Sequence, residues 1–394
     1  MGKYNFDEVI NRRGSGCIKF DNLKEFYGNP DLQPMWIADM DFKACPEIAQ
    51  ALQRRMAHTI YGYANPTDSY WESITTWLKH RHNFKVERDE LTFVPGVVKG
   101  IALVINFFTR KGDKVVIQPP VYHPFRLLTE GNERVVVENP LIADADGNYT
   151  MDLPGLEKAF ATEHPKLMIL CNPHNPIGLQ WSRETLTEVG RLARKYGVTV
   201  ISDEIHGDLM LKHRQHVPFA DCGDDCAAVG ITFGAPSKTF NIPGLVSSWC
   251  VIKNEELRKP FFNWLTVNEL NSPTFVATIG TEAAYNHGEP WLDELLTYLQ
   301  GNLDAMDAFI KAQMPQVSMV MPQASFLAWV DFSRLHLTHD ELINLVEQRA
   351  GLAFNDGEMF GVAQGRGFMR VNVAMPRALL LEALQKLADA VNSL

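Results

Sequence analysis

The chain has 394 residues, of which 46% are hydrophobic and 21% charged, so it is too long for a disulfide mini-scaffold and too apolar for a disordered protein. Its 37 basic and 47 acidic side chains leave a formal net charge of −10, which disfavours nucleic acid and anionic lipid surfaces as partners. No apolar run reaches the ~18 residues of a membrane span, and the basic clusters Arg12-Arg13, Arg54-Arg55 and Arg191–Lys195 read as solvated surface.

The polar stretch Met1–Gly16 lacks the apolar core of a signal peptide. Apolar spacing then predicts helices over Glu47–Ala57 and Ser69–His80, and a mostly buried one over Val97–Phe108. Short β-rich runs follow at Val115–Gln118, Arg134–Glu138, Leu167–Cys171, Val198–Ser202, Val229–Phe233 and Val246–Ile252, with helical segments such as Arg183–Tyr196 between several of them. This alternation predicts an α/β fold with a mostly parallel sheet covered on both faces. Beyond Pro290 come a long helix (Trp291–Ala312), strands at Val317–Val320 and Phe326–Val330, a helix near Asp340–Arg349, a strand at Phe368–Val373 and a last helix from Arg377. With Gly288 and Pro290 as breakers, the expected division is a large α/β domain over 46–288 and a smaller α+β domain built from 1–45 and 289–394. The six cysteines (Cys17, Cys45, Cys171, Cys222, Cys226, Cys250) are thinly spread and read as reduced thiols, which points to the cytoplasm.

In open α/β sheets, ligands bind beyond the carboxyl ends of the strands. Leu167–Cys171 runs into Asn172-Pro173-His174-Asn175-Pro176-Ile177-Gly178, and Val198–Ser202 runs into Asp203-Glu204-Ile205-His206. Ile231–Phe233 runs into Gly234-Ala235-Pro236-Ser237-Lys238-Thr239-Phe240. Three strand ends therefore offer an amide, a carboxylate and an amine. Lys238 precedes Asn241-Ile242-Pro243-Gly244, a poor composition for a solvated face, and burial would make its amine a nucleophile and a base. Asp203 ends an apolar-leaning strand, where a carboxylate needs a partner, unless it caps a helix. Cys222…Cys226, His80…His82 and His213…His216 make no complete ligand set, so no metal is expected, and no Gly-x-Gly-x-x-Gly or Walker loop indicates a nucleotide.

Asn-Pro-x-Gly, Asp-Glu-Ile-His and Ser-Lys-Thr-Phe, in this order, resemble the central motifs of the aspartate-aminotransferase-fold (fold type I) enzymes that use pyridoxal 5′-phosphate (PLP). Met35–Phe42, Pro119–Phe125 and Gly365–Asn372 narrow the resemblance to the cystathionine β-lyase, or carbon–sulfur lyase, subgroup, and it spans nearly the whole chain. It implies that Lys238 carries PLP covalently, Asp203 faces the pyridine nitrogen, Asn175 donates to the ring O3′, Tyr122 stacks on the ring and His206 lies near O3′. Backbone N–H groups at Gly96, Val97 and Val98, just before a helix, together with Ser237, would hold the phosphate.

Ala235 stands where a phosphate-binding serine is common, and Val246 where aspartate aminotransferases have an arginine. Tyr63 matches a residue that the neighbouring chain supplies, which implies a homodimer with shared sites. Arg370 would clamp the substrate carboxylate, with Trp36 and the Ala38 backbone lining the substrate cavity. The implied reaction is β-elimination on L-cystathionine or related cysteine conjugates, with Lys238, Asp203 and Tyr122 as its catalytic residues. A PLP-dependent aminotransferase is the alternative, and a protein-interaction module is the reading outside catalysis.

Overall fold

The computed structural model describes residues 2–394. Its helices follow local chemistry. Arg183–Tyr196 starts at Ser182, whose side chain accepts the Thr185 N–H, carries Glu184 in its first turn and Arg194 and Lys195 in its last, and stops at Gly197 with φ 69°. Thr67 and Thr274 cap Asp68–His82 and Phe275–His287 in the same way.

In chain order the strands are β1 (Gln33–Pro34), β2 (Leu91–Val94), β3 (Lys114–Ile117), β4 (Val135–Glu138), β5 (Ile142–Ala143), β6 (Tyr149–Thr150), β7 (Leu167–Cys171) and β8 (Thr199–Asp203). They continue with β9 (Gly230–Gly234), β10 (Ser248–Val251), β11 (Ser318–Met319), β12 (Leu327–Asp331), β13 (Leu352–Ala353), β14 (Asn355–Asp356) and β15 (Phe368–Asn372). The central sheet has the order β2-β10-β9-β8-β7-β3-β4. Only the pairs made by β10 are antiparallel.

Every residue of β7 and β9 is buried, as a sheet covered on both faces requires. Alternation along the strands divides the core. Met168, Leu170 and Val200 meet Leu186, Val189 and Leu192 on one face, while Ile169, Ile201 and Ile231 meet Ile101, Val104 and Phe261 on the other. The register sets Cys171 opposite Asp203 and Asp203 opposite Phe233, so three strands end side by side.

A second, antiparallel sheet of order β11-β12-β15-β14 follows, and β1 pairs in parallel with β13. That pairing brings the N-terminal segment to the C-terminal sheet. Residues 35–42 then run along β15, with the Asn372 N–H on the Met35 carbonyl and the Asp41 N–H on the Ala374 carbonyl.

Some expectations shift. The strand read from Val246 begins at Ser248, because Val246 closes a short turn with φ 53°, a left-handed conformation that interrupts a ladder. Pro290 lies in the first turn of Glu289–Gln313 instead of before it, where its missing N–H costs nothing. The helix read over Asp340–Arg349 is α-helical over His339–Asn344 and continues as a π turn. β2 and the helices Pro124–Gly131, Leu153–Glu163, Glu255–Val267 and Phe275–His287 went unread. Arg12 is not solvated surface. It pairs with Asp39 at 2.7 Å and Asp41 at 2.6 Å, because these two carboxylates and the fully buried Lys19 need a second cation to balance them.

Candidate active site

The aligned ends of β7, β8 and β9 open into a cavity of about 300 Å³, lined by Ala38, Gly96, Val97, Val98, Tyr122, Asn175, Asp203, His206, Ser237, Lys238 and Val246. A wider cleft of about 960 Å³ lies elsewhere, between residues 207–216 and the helix Glu289–Gln313, and none of the expected site residues lines it.

Asp203 is 4% exposed and accepts one hydrogen bond, from the Ile205 N–H at 3.1 Å. Burial pushes its carboxyl up to about 7, against a small opposing effect of that N–H. Lys238 sits on the short turn Pro236–Thr239 that follows β9, and its Nζ donates to the Ala38 carbonyl. Burial lowers its ammonium to about 8, with Asp39 and Asp203 pulling upward and Arg370 pulling downward. An amine near 8 exchanges its proton readily at neutral pH.

Arg370 on β15 is 3% exposed and touches no carboxylate. Its Nη1 donates to Asn175 Oδ1 at 3.0 Å, and its Nη2 to the Trp36 carbonyl at 3.1 Å and Asn355 Oδ1 at 2.6 Å, while its Nε has no partner. Burial lowers it to about 10. A buried guanidinium held only by neutral oxygens is an anion receptor in waiting.

The Arg370 contact takes up the oxygen of Asn175 and leaves its amide N–H₂ free to donate elsewhere. Tyr122 is fixed by its backbone N–H on the Asn175 carbonyl, and burial raises its phenol, so the hydroxyl stays protonated. His206 is 4% exposed with its Nδ1 unpartnered. Burial, then Lys238 and Arg370, lower it to about 3, which makes it a neutral imidazole. Gly96, at φ 105°, turns the chain into the helix Val97–Phe108, whose first turn lines the cavity. Ser237 lies at the start of the Lys238 turn.

Three expected residues do not line the cavity: Arg370, which is bonded to the lining residue Asn175, Trp36 and Tyr63. The Trp36 indole packs against Phe26 and Tyr27 and donates to the Lys19 carbonyl, so its carbonyl, and not its ring, meets Arg370. Tyr63 is fully exposed on the segment between two helices.

Sequence reasoning missed the groups that hold the segment over Lys238. Asn372 Nδ2 donates to the Ile37 and Asp39 carbonyls, and Asn241 Nδ2 to those of Met40 and Phe42. Asp39 and Asp41 inside the apolar run Met35–Phe42 were the available signal of a buried ion cluster.

A carboxyl whose folded-state pKa is raised costs the fold nothing below its unfolded pKa, near 4, and an increasing amount as pH rises toward 7. Asp203→Asn should therefore stabilise the ligand-free protein at pH 8 by on the order of 2–4 kcal/mol. That gain should close below about pH 4. Thermal unfolding of both proteins across this range checks it, and a pH-independent difference would reject it.

Residues 35–387 match the family described as aminotransferase class I and II. The chain is 42% identical over 388 residues to cystathionine beta-lyase PatB of Bacillus subtilis, covering 98% of this chain and 100% of that protein. Among solved structures, a PLP-bound protein from Clostridium difficile 630 superposes with a TM-score of 0.96 at 41% identity, covering 99% of this chain and 100% of that one. The PLP-bound C-S lyase of Staphylococcus hominis superposes with a TM-score of 0.91 at 33% identity, covering 98% of each chain. With the family matched over nearly its whole length and the strand-end motifs converging on one cavity, this chain belongs to the aminotransferase class I and II family.

Proposed function

We propose that this protein is a PLP-dependent carbon–sulfur β-lyase acting on L-cystathionine or a related cysteine conjugate. The observation that carries the reading is the convergence of three buried ionisable groups without matched partners: Asp203 and Lys238 line one cavity, and Arg370 is bonded to Asn175, which also lines it. PLP fits that set. Asp203 has lone pairs free for a pyridine N–H, Lys238 is an amine of lowered pKa for the aldehyde carbon, and Asn175 has a free N–H₂ for the ring oxygen. Tyr122 would cover the ring, with the neutral His206 nearby. The N–H groups of Gly96, Val97 and Val98, with Ser237, would hold the phosphate. The names of the similar proteins, a cystathionine beta-lyase and a C-S lyase, support the same chemistry.

When bound, PLP supplies an electron sink that lets a Cα–H bond ionise and a β-sulfur depart. The chain's own residues do the rest. Arg370 binds the substrate α-carboxylate through its forked N–H groups and fixes Cα. Lys238 Nζ, oriented by the Ala38 carbonyl, takes the Cα proton, a role suited to an amine near 8. The C–S bond breaks with its electron pair on sulfur, and one water completes the conversion to thiol, pyruvate and ammonium. Asp203, once charged, would hold a proton at the pyridine nitrogen of bound PLP.

An aminotransferase shares the Cα deprotonation, and the family match and the aminotransferase designation of the Clostridium difficile neighbour favour that second reading. Purified protein given L-cystathionine and no keto acid decides between them. Sustained release of pyruvate and thiol is expected, and a single stoichiometric turnover would overturn the lyase reading. Lys238→Ala should abolish both this release and the near-visible absorbance of the PLP–lysine linkage.

Arg370→Ala should lower kcat/KM by about 2–4 kcal/mol of transition-state stabilisation, against ~0–1 for a surface pair. Because the effect belongs to the carboxylate, PLP absorbance should persist. Unchanged kcat/KM would remove Arg370 from substrate binding.

The reading extends to a cytoplasmic homodimer. Six unpaired cysteines suit a reducing compartment. Ile60, Tyr61 and Tyr63 are exposed together, and Val246, which lines the cavity, is 42% exposed, so a second copy seated there would cover apolar surface and bring its Tyr63 to the phosphate. Co-expressed Lys238→Ala and Tyr63→Phe chains should then recover up to about a quarter of wild-type activity, since one of the two sites in a mixed dimer is intact. Activity no higher than the mean of the parents, with subunit mixing verified by mass spectrometry, would place Tyr63 outside the partner's site.

A further inference from the structure

Asp208 lies five positions beyond Asp203 and differs from it in every contact. It is buried and receives three donors: Trp77 Nε1 at 2.9 Å and His82 Nε2 at 2.7 Å on Oδ1, and Thr239 Oγ1 at 2.8 Å on Oδ2. Burial alone would raise its carboxyl, but the bonds from His82, Thr239 and Trp77 outweigh it and hold the group below the ordinary carboxylate range. Trp77 and His82 both come from the helix Asp68–His82, while Thr239 is the residue after Lys238. A buried anion met by three convergent donors accepts one arrangement of the elements that supply them.

The Lys238 turn is only four residues long, and its own backbone bonds are few: the Phe240 N–H on the Pro236 carbonyl and the Ile242 N–H on that of Ser237. One side of it is tied by Asn241 to the segment 40–42. On the other, Phe240 packs against Trp77, Tyr285 and Trp291, and the side-chain hydrogen bond is made by Thr239, which is fully buried and spends its hydroxyl on Asp208. Lys238 has four rotatable side-chain bonds, so the direction in which its Nζ enters the cavity depends on how firmly this turn is held.

We propose that Asp208, acting through the Thr239 hydroxyl and held by His82 and Trp77, is a positioning residue that sets the approach of Lys238 Nζ to the cavity. The inference rests on the reading of Lys238 as the PLP-bearing lysine. Neither Asp208 nor Thr239 touches substrate or cofactor in this account. The charged groups that face Lys238 are Asp39, Asp203 and Arg370, and the titratable groups around Asp208 are His82, with His216 against its ring, and Tyr285. A variant at Thr239 alters none of them.

The test uses PLP-loaded Thr239→Val, which keeps the shape and removes the hydroxyl, Thr239→Ser, which restores it, and Asp208→Asn, with Lys238→Ala as control. The pH midpoint of the near-visible band and the kcat and KM for L-cystathionine are measured. Thr239→Val should lose about tenfold in kcat with KM within about twofold, because misplacement of the reacting amine is a loss of orientation. Its band midpoint should move by more than about half a unit as Nζ leaves its place among Asp39, Asp203 and Arg370. Thr239→Ser should restore both values.

Asp208→Asn offers one acceptor oxygen to three donors and should reproduce the Thr239→Val changes. Should it fail to fold, the Thr239 pair decides alone. Wild-type midpoint and kcat in Thr239→Val would overturn the proposal, as would a loss that Thr239→Ser does not restore, which would assign it to packing. A Lys238→Ala protein that keeps the band would overturn the underlying reading of Lys238, a result distinct from either.

Discussion

The molecule depends on the side-by-side ending of β7, β8 and β9, which forces polar groups into the most buried part of an otherwise apolar sheet. Asp203 and Lys238 sit there and Arg370 meets them from β15 of the second sheet, all without charged partners within bonding distance, and each is drawn toward its neutral form, to about 7, 8 and 10. Desolvation of this size destabilises the protein without its ligands, and the packed layers on both faces of the sheet must offset it. A ligand carrying an N–H, a carbonyl carbon and a carboxylate relieves all three groups at once.

One short stretch shows how selectively the fold distributes donors. Asp203, Glu204 and Asp208 are all buried carboxylates on the same loop. Glu204 takes Ser202 Oγ, the Phe219 N–H and His216 Nε2, each at 2.8 Å, and Asp208 takes three donors of its own. Asp203 receives a single backbone N–H. Because a carboxylate has about four acceptor sites, Asp203 keeps most of its capacity for something that is not protein, whereas Glu204 and Asp208 are nearly filled. The two satisfied acids brace the loop and the Lys238 turn, and the unsatisfied one faces the cavity.

The far wall is made by the N-terminal segment, which has no ladder of its own across the site. The carbonyls of Trp36, Ile37, Ala38, Asp39, Met40 and Phe42 are instead taken by side chains: Arg370, Asn372, Lys238 and Asn241. Two cations, Arg12 and Lys19, balance two anions, Asp39 and Asp41, behind it. The residues proposed to bind and react are thus also residues that hold this wall, so Arg370 and the placement of the segment are mechanically linked.

The strands that end in chemistry were legible in the amino-acid sequence, because β7, β8 and β9 are continuous apolar runs and their polar successors stand out against them. Asn175, Asp203, His206, Ser237, Lys238 and the Gly96 turn line one cavity. What was not legible arises from distance along the chain. Arg12 looked like a surface charge because its partners, Asp39 and Asp41, are brought to it only by folding. Trp36 looked like a cavity ring, but aromatic neighbours turned it away and left its carbonyl for Arg370. Val246 read as strand by its β-branched side chain, yet the turn before it imposed φ 53°. Local periodicity records which residues are buried. Which donor meets which acceptor is decided by tertiary packing, because a hydrogen bond acts over about 3 Å and the groups it joins stand up to hundreds of residues apart.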